Sequence, residues 1–332
     1  MSKVLSPRET YIDSARGISI LLVVFWHAFD EELFFNGPLV FLRMPLFFFM
    51  AGIFAVSILT APLLNILKNK VGQLLWIFVI WSSILYFSRS GLEQLVKTGL
   101  VDLYPAFSIF WNPPSTMWFL YALAIAYFIT ALSAQLPRLP VLCISAALYV
   151  WSASYGEWAN PPFPLKVMRL LPAFQVAVYY SKDILAFSKR YGWSWPLHAA
   201  VFFPSAYFVY YSEVSTFGPV TAAVSAFGIL FILTACYRYR ETSIAKIAAL
   251  VGQCSIYIYL MHRIILSYAH EVGAALHVGD LTAQIFGVVL AVIVPPTIGM
   301  FVVNRYMPWL VKAPWLLRTK KQQSVAPISE AA

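Results

Sequence analysis

Apolar stretches of about 20 residues, enough to cross a hydrocarbon core as helix, recur along almost the whole of this chain. They fall near 14–33, 39–59, 71–89, 116–134, 139–154, 165–181, 195–212, 217–236, 246–268 and 281–303. In lipid no water is present to satisfy backbone N–H and C=O groups, so such stretches are read as helices whose bonds close internally. The expected fold is therefore all-α, a polytopic integral membrane protein of about ten transmembrane helices. Composition agrees: 61% of the residues are hydrophobic and 11% charged, against about a quarter charged in soluble domains. The fifth and sixth stretches are the weakest, the sixth being short and interrupted by Lys166, Arg169 and Pro172.

In a soluble protein a net charge of +9 would suggest nucleic acid. Here it is explained by loop charge, and no nucleic-acid partner is expected; the partner in contact along the chain is membrane lipid. With the N-terminus in the cytoplasm, Lys68, Lys70, Arg138, Lys182, Lys189, Arg190, Arg238, Arg240 and Lys246 all fall inside. Lys3 and Arg8 and the tail residues Arg305, Lys312, Arg318, Lys320 and Lys321 join them. The outer loops keep Arg89 and Lys97 beside acids such as Asp30, Glu31, Glu32, Glu157 and Glu213. This asymmetry is the positive-inside pattern, and ten spans return the C-terminus to the cytoplasm. The first apolar run begins with Asp13 and Arg16 and lacks a small-residue cleavage site, so it reads as a retained span. Residues 1–318 form the expected transmembrane domain, 319–332 a polar, disordered tail, and the loop around 90–115 a linker lying on the membrane surface. Cys143, Cys236 and Cys254 are odd in number and sit in apolar runs, which supports neither a disulfide framework nor a zinc site.

Against that background the ionisable residues inside the spans stand out, because each is costly there and marks a functional site by default. Arg16 and His27 are eleven residues apart; at about 100° per residue they return to within roughly 20° of one another on a helix, about 16 Å apart along its axis. Asp13 and Asp30 extend the same stripe at i, i+3 spacing. Asp13 is expected to pair with Arg16. Asp30 either orients His27, as a carboxylate orients a catalytic imidazole, or simply opens the acidic outer loop. Arg43, Arg169, His262 and Arg263 fall at comparable height in other spans, and convergence would make a polar cavity. Blander readings stand beside these: an interhelical hydrogen bond for His27, interface anchoring for Arg43, Lys166 and Arg263, and a helix kink at Arg169–Pro172. His198 has no partner evident in sequence, and His270 and His277 read as outer-loop residues. There is no phosphate-cradling glycine loop, HExxH zinc pattern or Gly-x-Ser-x-Gly elbow, so no metal is implied.

The segment Tyr11-Ile-Asp13-Ser-Ala-Arg16-Gly17, with its Arg-x10-His ending at His27, resembles the opening of the acyltransferase 3 family of membrane acyltransferases. Met44-Pro45-Leu-Phe47-Phe48-Phe49-Met-Ala-Gly52, Trp118-Phe119-Leu120 and Ser255-Ile-Tyr257-Ile-Tyr259-Leu-Met-His262 match further landmarks in the family's order. Departures are Ala51 before Gly52 where the family usually has serine, Gln73 and Trp76 where it has basic residues and a proline, and Val178 near an expected glycine. The resemblance implies O-acyl transfer, often of acetyl, from cytoplasmic acyl-CoA to a hydroxyl of exopolysaccharide, lipopolysaccharide or a lipid-linked glycan at the bacterial inner membrane. No bound cofactor is expected; acyl-CoA is the donor substrate. Catalytic candidates are His27, as general base or transient acyl carrier, Asp30 and His262. Arg16, Arg43, Arg169, Trp118 and Tyr259 are substrate-binding candidates, Arg16 toward CoA. The main alternative is a secondary transporter or exporter of a glycolipid or small anion; a non-catalytic membrane partner is a third.

Overall fold

The computed structural model describes residues 10–29, 36–88, 104–114, 116–155, 162–212 and 217–317. Asp30, the outer-loop acids, Arg89, Lys97 and the tail 319–332 lie outside them. Every described element is helical, in line with the all-α expectation. The main helices are α1 (Thr10–Phe29), α2 (Val40–Ile53), α3 (Leu63–Tyr86), α4 (Trp118–Ser133), α5 (Arg138–Ala153) and α6 (Phe163–Arg190). They continue as α7 (Trp195–Tyr210), α8 (Gly218–Arg238), α9 (Ser243–Gln253), α10 (Ser255–Ala275) and α11 (Asp280–Ile298). Each of the ten apolar stretches overlaps one of these helices or the α9–α10 pair. By length and composition four described helices are long and apolar enough to cross a membrane, five if the bent α9–α10 pair counts as one span.

Two stretches differ from their sequence reading. The ninth, read as continuous over 246–268, is two helices bent by 80° at Cys254. A glycine at 252, poorly disposed to continue a helix, precedes the break. The sixth runs well past residue 181 to Arg190: hydropathy falls there, but no helix breaker occurs, and Lys189 and Arg190 suit the negative end of the helix dipole. His270, assigned to a loop, lies on α10 and is exposed.

The chain packs as two compact units, one from residues 1–60 and 133–296, the other from 61–132 and 297–332. In the first, α1 lies in the centre against α9, α2, α10 and α8, while α2 also packs on α6 and α8. Phe41, Leu42, Leu46, Phe49 and Met50 of α2 meet Phe202 of α7 and Leu233 of α8 in its core. Because lipid is as apolar as leucine, such packing relies on close van der Waals fit and small residues. The α1–α9 contact shows this: a Cβ on Gly17 would overlap the Ala248 carbonyl oxygen, and one on Gly252 would overlap that of Asp13. Gly52 of α2 meets the Phe174 carbonyl of α6 somewhat less closely, but a Cβ there would still overlap it.

In the second unit the residues that depart from the family pattern hold the C-terminal segment. Gln73 donates from Nε2 to the Val311 carbonyl (2.6 Å) and accepts from the Ala313 N–H (2.8 Å). The Trp76 and Trp81 indoles donate to the carbonyls of Trp309 (2.7 Å) and Leu310 (2.9 Å). Phe78 stacks on Tyr121, centroids 5.0 Å apart.

Candidate active site

Trp26 and His27 stand in the last described turn of α1, and Arg43 in the first turn of α2. The first turn of α2 lies beside the last turns of α1. Arg43 is buried there with its guanidinium 4.2 Å from the Trp26 ring centroid, a geometry in which the ring's negative face offsets the cation's lost hydration. From α10, two neighbouring residues reach the same place. Arg263 donates toward the His27 carbonyl (3.5 Å) in the last turn of α1. The His262 ring lies 5.2 Å, centroid to centroid, from that of His27, the planes inclined by 33°. Arg263 and Arg43 thus bring positive charge to the end of α1 that carries His27.

His262 is fully buried. Its Nδ1 sits 3.0 Å from the Ile258 carbonyl oxygen and 2.7 Å from that of Tyr259. Carbonyls only accept, so Nδ1 carries the hydrogen. Tyr259 is itself buried, its ring 6.1 Å from His262 and 6.4 Å from Phe47 of the phenylalanine-rich run. A half-buried imidazole on α1 is thus flanked by a second imidazole and two guanidiniums from two other helices. Such a group can take up a proton and stabilise negative charge that develops beside it.

The other sequence candidates lie elsewhere. Arg16 is at the opposite end of α1, donating from Nε to the Gly252 carbonyl (2.6 Å) at the α9–α10 break. It also forms the expected ion pair with Asp13 (3.6 Å), whose other oxygen is 3.4 Å from Gln253 Nε2. Arg169 is buried, and its Nη2 donates to the carbonyls of Ser152 (2.7 Å) and Tyr155 (2.9 Å), closing the C-terminal end of α5. Trp118 opens α4 in the second unit, edge-on to Phe119. Asp30 is outside the described residues. His198, without an evident partner in sequence, has its Nδ1 3.3 Å from the Thr234 hydroxyl on α8. Arg263 is the site residue that sequence reasoning passed over as an interface anchor; its adjacency to His262 was the available signal. Among the described residues no cluster of His, Cys, Asp and Glu could hold a metal ion.

Helical throughout its described residues, with apolar helices of membrane-crossing length, the chain is of the integral membrane protein class. A model of the acyltransferase 3 family, described as an acyltransferase domain, matches residues 9–300. The chain belongs to the acyltransferase 3 family and is a membrane acyltransferase. Neither a curated protein nor a solved structure matches it.

Proposed function

We propose that this protein moves an acyl group, most simply acetyl, from acyl-CoA to a hydroxyl of an envelope glycan or lipid-linked saccharide at the bacterial inner membrane. The observation that carries the reading is the His27 imidazole set among His262, Arg43 and Arg263 in a chain of this family. One ring nitrogen of His27 takes the acceptor's hydroxyl proton as the oxygen attacks the thioester carbonyl. The C–S bond breaks, and the departing CoA thiolate recovers that proton. Arg43 and Arg263 offer guanidinium N–H groups to the oxyanion. Tyr259 lines the same place, and Arg16, at the other end of α1, supplies positive charge toward the CoA phosphates.

The test is mass spectrometry of envelope glycans from cells with and without the protein, paired with transfer by the purified protein. An acetyl increment present only with the protein, and lost in His27→Ala, is the expected result. Full acyl-CoA-dependent transfer by purified His27→Ala overturns the catalytic assignment. The 80° break between α9 and α10 favours a second reading, since transporters build substrate sites at discontinuous helices. Substrate flux without any acyl-CoA requirement would establish that reading instead.

A further inference from the structure

A base that becomes cationic needs an acceptor for the N–H on its far side, the part a carboxylate takes in a serine-hydrolase triad. Among the described residues, the structure brings His262, Arg263 and Arg43 beside His27. Guanidiniums only donate, so neither arginine can fill this part.

His262 can. Its Nδ1–H is committed to the Ile258 and Tyr259 carbonyls, and in the neutral ring this leaves Nε2 with a lone pair and no hydrogen. That nitrogen is buried and has no hydrogen-bond partner among the described residues. The His27 ring is 5.2 Å away between centroids, close enough that side-chain rotation brings a nitrogen of one ring to hydrogen-bond distance from a nitrogen of the other.

We propose that His262 is a positioning residue for His27, its Nε2 accepting the His27 N–H that faces away from the acceptor hydroxyl. One His27 nitrogen faces the hydroxyl as base; the other, protonated, points at His262. When the hydroxyl proton arrives, the imidazolium is stabilised through the N–H···Nε2 bond. The proton then returns from His27 to the CoA thiolate, so His262 ends the cycle as it began. The backbone of α10 thus sets the tautomer of His262, and His262 sets the orientation of His27. This rests on the acyl-transfer reading above.

The experiment uses the full-length protein in lipid nanodiscs, with acetyl-CoA as donor, succinyl-CoA in a parallel arm, and delipidated envelope polysaccharide as acceptor. His262→Leu is expected to lower kcat by about 100-fold or more while KM stays unchanged, within the range that base catalysis contributes. His262→Gln, whose amide oxygen can accept, is expected to retain about tenfold more activity than His262→Leu. The His27→Ala/His262→Leu double variant should be no slower than His27→Ala alone, because residues acting as one unit are not additive. Histidine 15N NMR of the folded wild-type protein, assigned by the signals lost in His262→Leu, should show His262 with Nδ1 protonated and Nε2 bare.

Undiminished transfer by His262→Leu, losses that multiply in the double variant, or a protonated Nε2 in the resting protein each overturn the inference while leaving acyl transfer standing. No transfer from either donor by the wild-type protein overturns the acyl-transfer reading, and the inference with it.

Discussion

At the scale of single residues, two arginines that look alike in sequence do different things. Arg169 is buried with its guanidinium on the last carbonyls of α5. Charge-assisted bonds of this kind are worth about 1.5–3 kcal/mol each when the alternative is a buried unpaired group. Arg169→Met is therefore expected to destabilise the protein by about 2–3 kcal/mol, read as a lower thermal midpoint in detergent, with the kcat of the folded fraction unchanged. A large fall in kcat at unaltered stability would return Arg169 to the chemistry. Arg16 is partly exposed, 20% against 1% for its partner Asp13, so its charge is available to a ligand as well as to the Gly252 carbonyl. Arg16→Ala is expected to weaken CoA binding by about tenfold, roughly 1.4 kcal/mol, and to flatten its dependence on salt. Equal affinity in calorimetry at low and high salt would confine Arg16 to holding the α9–α10 break. The pattern of costly charges in the spans was legible from the first apolar stretch onward. Which charges meet each other was not, since Arg169 finds its carbonyls on another helix and Arg263 reaches back 236 positions to His27.

Among the elements, the α1–α9 contact sets the geometry that matters most. It fixes α9, and through Arg16 and Gly252 it fixes the point where the chain turns by 80° into α10, the helix that carries His262 and Arg263. Gly17→Ala places a methyl against the Ala248 carbonyl, and overpacking of that kind costs about 1–3 kcal/mol. We expect Gly17→Ala to lower both the thermal midpoint and the activity. Gly279→Ala, where an added Cβ meets nothing within 4 Å, should stay within about 0.5 kcal/mol of the parent. Equal melting curves for the two variants would show that α1 and α9 are not held by this approach. Hydropathy predicted ten stretches and missed the break, because both sides of Cys254 are apolar and the turn depends on contacts with α1. The extension of α6 was missed for the opposite reason: its last nine residues are polar enough to look like loop, yet nothing among them stops a helix.

For the whole molecule, loop charge predicts that both termini face the cytoplasm. A C-terminal fluorescent-protein fusion should then be bright and an alkaline phosphatase fusion at the same point inactive; the converse pair of results would overturn the cytoplasmic placement of the C-terminus. The departures from the family pattern at Gln73 and Trp76 also make sense at this scale, because together they hold the backbone of 309–313 in the second unit.

The sequence by itself determined that this is a helical membrane protein of the acyltransferase 3 family with Arg16 and His27 on one face of the first helix. Those properties follow from local periodicity, composition and ordered motifs, which need no knowledge of what each helix touches. Only the tertiary structure decided that His27 meets His262, that Arg43 lies on Trp26, that Arg169 closes α5, and that the ninth stretch bends at Cys254. Each of these depends on which side chains and helices meet, and that is settled by packing between segments distant in the chain.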